Sequence, residues 1–167
     1  MSTKISNTKL QDVKIIQKKF FSDHRGHYLE SYNINLYDKL GIKIKFVEDD
    51  FSFSKRNVLR GLHGDNKTWK LISCIYGKIF VIVLDLNKYS KTFNEWQSFQ
   101  ISDIDRSQIL IPPNHGNGHL VLSDHAIFHY KQSQYYDPNA QFTVKWNDPK
   151  YNFDWPILEP ILSKRDE

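Results

Sequence analysis

The chain is 167 residues long, carries a formal charge of +4, and holds 14% aromatic residues with only 7 Gly and 6 Pro. A single domain spanning 1–167 with a sizeable core is expected, and a disordered or low-complexity chain is excluded. With no basic block and no apolar stretch long enough to span a bilayer, nucleic-acid and membrane partners are not expected. The reading is a soluble, cytoplasmic protein whose mild basicity suits a small phosphorylated ligand.

In chain order the dominant hydrophobic period is two, which predicts strands. They are expected at 13–21, 26–32, 42–53, 58–63 and 69–86, the last broken by the turn Tyr76-Gly77. Further strands are expected at 96–101, 108–111, 118–122, 126–131 and 142–146, with turn residues such as Pro112-Pro113-Asn114 and Asp137-Pro138-Asn139 between them. Only Asn35 to Leu40 reads as helix. The tail from Asp148, with Pro149, Pro156 and Pro160, reads as irregular or briefly helical. His115 and His119 fall on a Gly-rich turn. Cys74, within the apolar run Leu71-Ile72-Ser73-Cys74-Ile75, reads as a buried core thiol. Short, evenly spaced strands without a repeat argue one antiparallel sandwich or barrel, and a jelly roll is the preferred all-β architecture.

Chemistry concentrates in four segments. Val58-Leu59-Arg60-Gly61-Leu62-His63 offers a cation and an imidazole, Tyr130 a phenol, and Leu162-Ser163-Lys164-Arg165-Asp166 a carboxylate. Together they are the parts needed to take a proton from one face of a carbon acid and return it to the other. Alternation sets Arg60 and His63 on opposite faces of their strand, so either Arg60 is solvated or a bulge turns both inward. An Arg inside a barrel calls for an anion, such as a diphosphate. Along 127–131, Phe128 and Tyr130 share one face, and Ile127, His129 and Lys131 the other.

These segments resemble the dTDP-4-dehydrorhamnose 3,5-epimerase family of cupin-like sugar-nucleotide epimerases. The matching blocks include Phe21-Ser22-Asp23-His24-Arg25-Gly26, Val58 through His63, Trp69-Lys70-Leu71, Ile111-Pro112, Tyr130-Lys131, Trp146-Asn147-Asp148-Pro149 and Leu162 to Asp166. The resemblance implies a cupin-type jelly roll (double-stranded β-helix) with short peripheral helices, acting without a cofactor on a nucleotide-linked 4-keto-6-deoxy sugar. It implies His63 as the base, Asp166 as its carboxylate partner, Tyr130 as the acid on the opposite face, and Lys70 near the sugar O4 where enolate charge develops. Arg60 would hold the diphosphate, and Tyr136 would line the sugar pocket. Arg25, Tyr28 and Glu30 match positions that reach a nucleotide across a homodimer whose N-terminal strands cross between subunits. The apolar segment Val13 to Phe21 is available for that exchange.

The departures from the family pattern matter as much. Its His-Gly-Phe after the Ile-Pro turn is Asn117-Gly118-His119 here, so the second histidine becomes Asn117, which cannot titrate, and the number of inverted centres is left open. Asp85 matches an acid near that second histidine. Where the family has Gln and Asn, this chain has Glu48 and Asp50. A carboxylate pairs well with the adjacent N–H donors of guanine and poorly with thymine, which leans toward the branch acting on GDP-linked heptoses in capsule biosynthesis. His63, His115, His119 and His125 lack the His-x-His spacing of a cupin metal site, so no metal is expected. A 3,4-ketoisomerase on the same scaffold and a non-catalytic sugar-nucleotide binder are the alternatives.

Overall fold

The computed structural model describes residues 3–167. In chain order the strands are β1 Lys4–Asn7, β2 Lys14–Gln17, β3 Phe21–Asp23, β4 Gly26–Tyr28, β5 Glu48–Lys55, β6 Leu59–Gly64 and β7 Lys70–Tyr76. They continue as β8 Lys78–Asp85, β9 Trp96–Ser102, β10 Ser107–Ile111, β11 His115–Val121, β12 His125–Gln132 and β13 Phe142–Thr143. One sheet has the order β1-β2-β10-β7-β12-β5 and faces a second of order β13-β6-β11-β8-β9, with every ladder antiparallel. The jelly roll inferred from strand spacing is the observed fold.

Helix α1, Ile34–Lys39, is the only helix among the described residues. It begins at Asn33, whose side chain accepts from the N–H groups of Asn35 and Leu36. Its fully buried Tyr37 packs with Ile16, Ile42, Leu71 and Leu110 on the outside of the larger sheet. The tail, irregular as expected, covers the outside of the smaller sheet. There Trp155 lies against Leu59, Leu62, Ile82, Leu84 and Leu120 and donates from its indole to the Trp146 carbonyl.

Several sequence expectations are corrected. Residues 42–47 are not strand; Ile42 is drawn into the helix-side cluster, and pairing starts at Glu48. The 13–21 run shortens to β2 plus the start of β3, and β1, outside the expected strands, pairs with β2. The Gly-rich segment holding His115 and His119 is a fully buried strand, β11, because Gly116 and Gly118 let neighbouring side chains and the β6 backbone approach closely.

Between the sheets the inner faces grade from apolar to polar. β12 presents Ala126, Phe128, Tyr130 and Gln132 in turn, and β11 presents Val121, His119 and Asn117. At one end Ile72, Cys74, Val81, Val83, Val121 and Phe128 close into a core; at the other the core opens into a cavity. Cys74 is buried in that core, as expected, and burial pushes its thiol up to about 12.

Candidate active site

The cavity measures about 540 Å³ and is walled by both sheets and the C-terminal segment. Arg60 and His63 both line it, which settles the parity question. Asn117 faces His63 while His119 faces Arg60, so β6 fits three steps against two of β11. That bulge turns both side chains inward. Gly61 makes it possible: its φ is +113°, and a Cβ there would lie 2.5 Å from the Gly118 Cα.

His63 Nε2 lies 2.7 Å from Asp166 Oδ1. Asp166 is not a frayed terminal acid but only 3% exposed, and its other oxygen accepts from the Ser163 hydroxyl at 2.8 Å. The segment leading to it is tied to the rim of β6: the Leu59 N–H donates to the Ile161 carbonyl, and the Ile161 N–H to that of Asn57. With the carboxylate accepting from Nε2–H, Nδ1 is the basic nitrogen. Burial lowers the His63 imidazole below its ordinary value, Asp166 opposes this, and Arg165 and Lys70 reinforce it. The group is therefore a neutral base at neutral pH.

Tyr130 stands on β12, in the sheet facing that of His63. Burial and the nearby carboxyls of Asp50 and Glu48 raise its phenol above the ordinary value, so it stays protonated and can donate. Lys70, from β7, donates to Asn117 Oδ1 at 3.1 Å and to the His63 carbonyl at 3.4 Å. Burial lowers its ammonium to about 8. His63 thus reaches one space from one sheet, and Tyr130 and Lys70 reach it from neighbouring strands of the facing sheet.

A pH dependence follows. On the roles the resemblance implies, His63 would be protonated and lost as a base as pH falls through its lowered value, and Lys70 would lose the charge that could stabilise an enolate as pH rises through about 8. Proton exchange in the wild type should trace a bell whose upper limb lies near pH 8. In Lys70→Gln the rate should drop throughout and the upper limb vanish. An unchanged upper limb in that variant would reassign it to another group.

The remaining expected site residues divide. Glu48, Asp50, Asn117 and Tyr136 line the cavity. Gln132 Nε2 donates to Glu48 at 2.5 Å and to Asp50 at 3.3 Å, and Glu48 also accepts from the Tyr136 N–H. Burial, followed by the neighbouring Glu48, raises the Asp50 carboxyl. Arg60 donates to Ser54 Oγ through Nε and Nη2, leaving the rest of its guanidinium fork for a ligand. Arg25, Tyr28 and Glu30 are not brought to the cavity within one chain. They lie on or just after the β3–β4 hairpin, where Arg25 pairs with Asp23, Tyr28 is 68% exposed and Glu30 accepts from Asn33. Asp85 does not meet Asn117, which lies opposite Val83. It lies 3.5 Å from His115 and accepts from the Thr92 hydroxyl and the Asn87 N–H, a structural role.

The sequence reading missed Gln132, Gln141, Arg165 and His119, all of which line the cavity. Strand alternation from Tyr130 points to Gln132, and from Asn117 to His119. Gln141 and Arg165 sit on irregular chain, which carries no periodicity to read.

Known proteins resemble this chain in sequence and in fold. The family model described as dTDP-4-dehydrorhamnose 3,5-epimerase matches residues 7–167. A Salmonella typhimurium protein of that name is 39% identical over 167 residues, covering 97% of this chain and 91% of its own. A Streptomyces niveus protein named dTDP-4-dehydrorhamnose 3-epimerase is 31% identical over 150 residues, covering 87% of this chain and 72% of its own. The crystal structure of a Legionella pneumophila dTDP-6-deoxy-D-glucose-3,5-epimerase, in complex with dTDP-4-keto-L-rhamnose, superposes with a TM-score of 0.93 at 38% identity. That likeness covers 98% of this chain and 89% of the other. The chain belongs to the dTDP-4-dehydrorhamnose 3,5-epimerase family and is an enzyme of the isomerase class.

Proposed function

We infer that the protein epimerises a nucleotide-linked 4-keto-6-deoxy sugar, at C3 alone or at C3 and C5, without a cofactor. The observation that carries this reading is the opposition of the His63–Asp166 pair and Tyr130 on facing sheets. The 4-keto group acidifies the hydrogens on C3 and C5. His63 Nδ1 removes one, the electron pair moves toward O4 beside Lys70, and Tyr130 returns a proton from the other side. Arg60 holds the diphosphate. Asn117, engaged by Lys70 and unable to titrate, leaves His63 as the imidazole beside Lys70 in this geometry.

The favoured substrate is a GDP-linked heptose derivative, with a dTDP-hexose second, in the biosynthesis of capsule or another surface polysaccharide in the cytoplasm. Two carboxylates, Glu48 and Asp50, on the cavity wall support guanine recognition, while the ligand of the Legionella pneumophila relative supports dTDP. The reading includes a homodimer. β2 is already paired on both edges within its own chain, so the segment free to reach a partner is the β3–β4 hairpin, not 13–21. That hairpin carries Arg25 and Tyr28, and the exposed Phe51 and Phe53 on β5 offer an apolar surface for the partner.

Proton NMR in D₂O with a GDP-linked 4-keto-6-deoxyheptose and with dTDP-4-keto-6-deoxyglucose tests the reading. Deuterium at C3, or at C3 and C5, is expected, with the GDP probe exchanging faster. Equal rates would overturn the guanine preference, and no exchange on either probe would overturn the reaction.

A further inference from the structure

His119 has no part in the chemistry above, yet it is the most unusual group in the cavity wall. It is 3% exposed, and its ring lies flat on Phe128 of the facing sheet, with centroids 4.0 Å apart and planes 15° apart. Phe128 in turn packs on Tyr130 at 5.3 Å. The His119 ring therefore sits between the sheets beside the acid, and its Nε2 is buried without a partner. A buried polar atom left unpaired costs about 1–3 kcal/mol. Phenylalanine, which the family motif carries at this place, would make the same stack on Phe128 without that cost. The imidazole is thus unfavourable in the empty protein and becomes favourable only when a ligand meets it. A half-turn about χ2 preserves the stack and exchanges the ring edges, so a nitrogen can meet the cavity.

Its position says which ligand group that is. His119 faces Arg60 across the β6–β11 ladder, and the charges of Arg60 and His63 both act on it. On the proposed function, which this inference rests on, Arg60 holds the diphosphate on C1 and His63 works at C3. The carbon between them is C2. The geometry points to His119 as a specificity-determining residue that hydrogen-bonds the 2-hydroxyl of the sugar. A hydroxyl both donates and accepts, so it satisfies either tautomer of the ring, which a ring ether oxygen cannot.

The character of the group fits the chemistry there. Burial, with Arg60 and His63 adding to it, pushes the His119 imidazole down to about 3, so it stays neutral. When C3 is deprotonated, the 2-hydroxyl stands β to the carbanion, and protonating that hydroxyl would help it leave. A neutral imidazole holds the hydroxyl without supplying that proton.

The test compares wild type, His119→Phe and His119→Gln on GDP-4-keto-6-deoxymannose and its 2-deoxy analogue. Deuterium exchange reports the reaction, and the ligand-induced shift in melting temperature reports binding. Wild type should lose about 10- to 100-fold in kcat/KM when the 2-hydroxyl is removed, the value of one buried hydrogen bond. His119→Phe should show almost no discrimination between the probes and melt higher without ligand. His119→Gln, which restores a hydrogen-bonding group, should recover part of the discrimination. Equal treatment of both probes by wild type, or undiminished discrimination by His119→Phe, overturns the assignment. If wild type exchanges neither probe, binding alone decides His119, and the epimerase reading is judged on the GDP-heptose and dTDP-hexose probes named above. A preference for the 2-hydroxyl that is lost in His119→Phe then sustains the assignment, and equal or absent binding ends it.

Discussion

Replacing His63 by Asn should reduce exchange of the substrate's C3 hydrogen with solvent by about 10²–10⁴-fold, the usual contribution of a positioned general base. The fold should survive, because His63 is partly exposed at the cavity wall and its ring bonds only Asp166. Asparagine can still pair with that carboxylate through its amide but cannot accept a proton. No other imidazole stands ready to replace it. His119 is buried and neutral with its ring stacked on Phe128, and His115 is bonded to the Pro113 carbonyl and lies beside Asp85. Hydrogen–deuterium exchange followed by NMR, together with an unchanged circular dichroism spectrum, checks this. Full exchange in a folded His63→Asn variant would remove His63 from the role of base.

The second large effect is expected at Tyr130. Tyr130→Phe keeps the ring packed against Phe128 and removes only the hydroxyl, so stability should change little. Inversion should fall by about 10²–10³-fold, while exchange at C3 falls much less, because abstraction by His63 does not use the phenol. Deuterium from the solvent, taken up by His63, should then add to the face the proton left, giving labelled but unepimerised substrate. Product stereochemistry measured beside label content separates the two. Parallel losses of exchange and inversion would place Tyr130 in binding or positioning instead.

The contrast between these residues shows what kinds of information a sequence holds. The jelly roll was legible because a strand with one face in the core must alternate, and alternation survives in the sequence whatever the partner strand is. The two face sets of β12 followed directly from it, but which set points inward did not. Residues 42–47 were misread for the same reason: their apolar side chains serve helix α1 and its surroundings, and period two does not say what a face is packed against. The residues proposed for catalysis were legible only as motifs carrying family resemblance. In the chain itself Asp166 is one acid among the charged residues of the terminus.

What the amino-acid sequence determined by itself was local: which segments are extended, where turns break them, and which residue types could act as base, acid, cation and carboxylate. The tertiary structure decided the rest, since it depends on contacts between residues far apart in the chain. A bulge enabled by Gly61 brought Arg60 and His63 to one wall, and backbone pairing at Ile161 carried Asp166 to His63 across about a hundred residues. The facing of the two sheets set Tyr130 opposite His63 and left His119 buried with an unpaired nitrogen, because burial and hydrogen-bond satisfaction are properties of the packed whole.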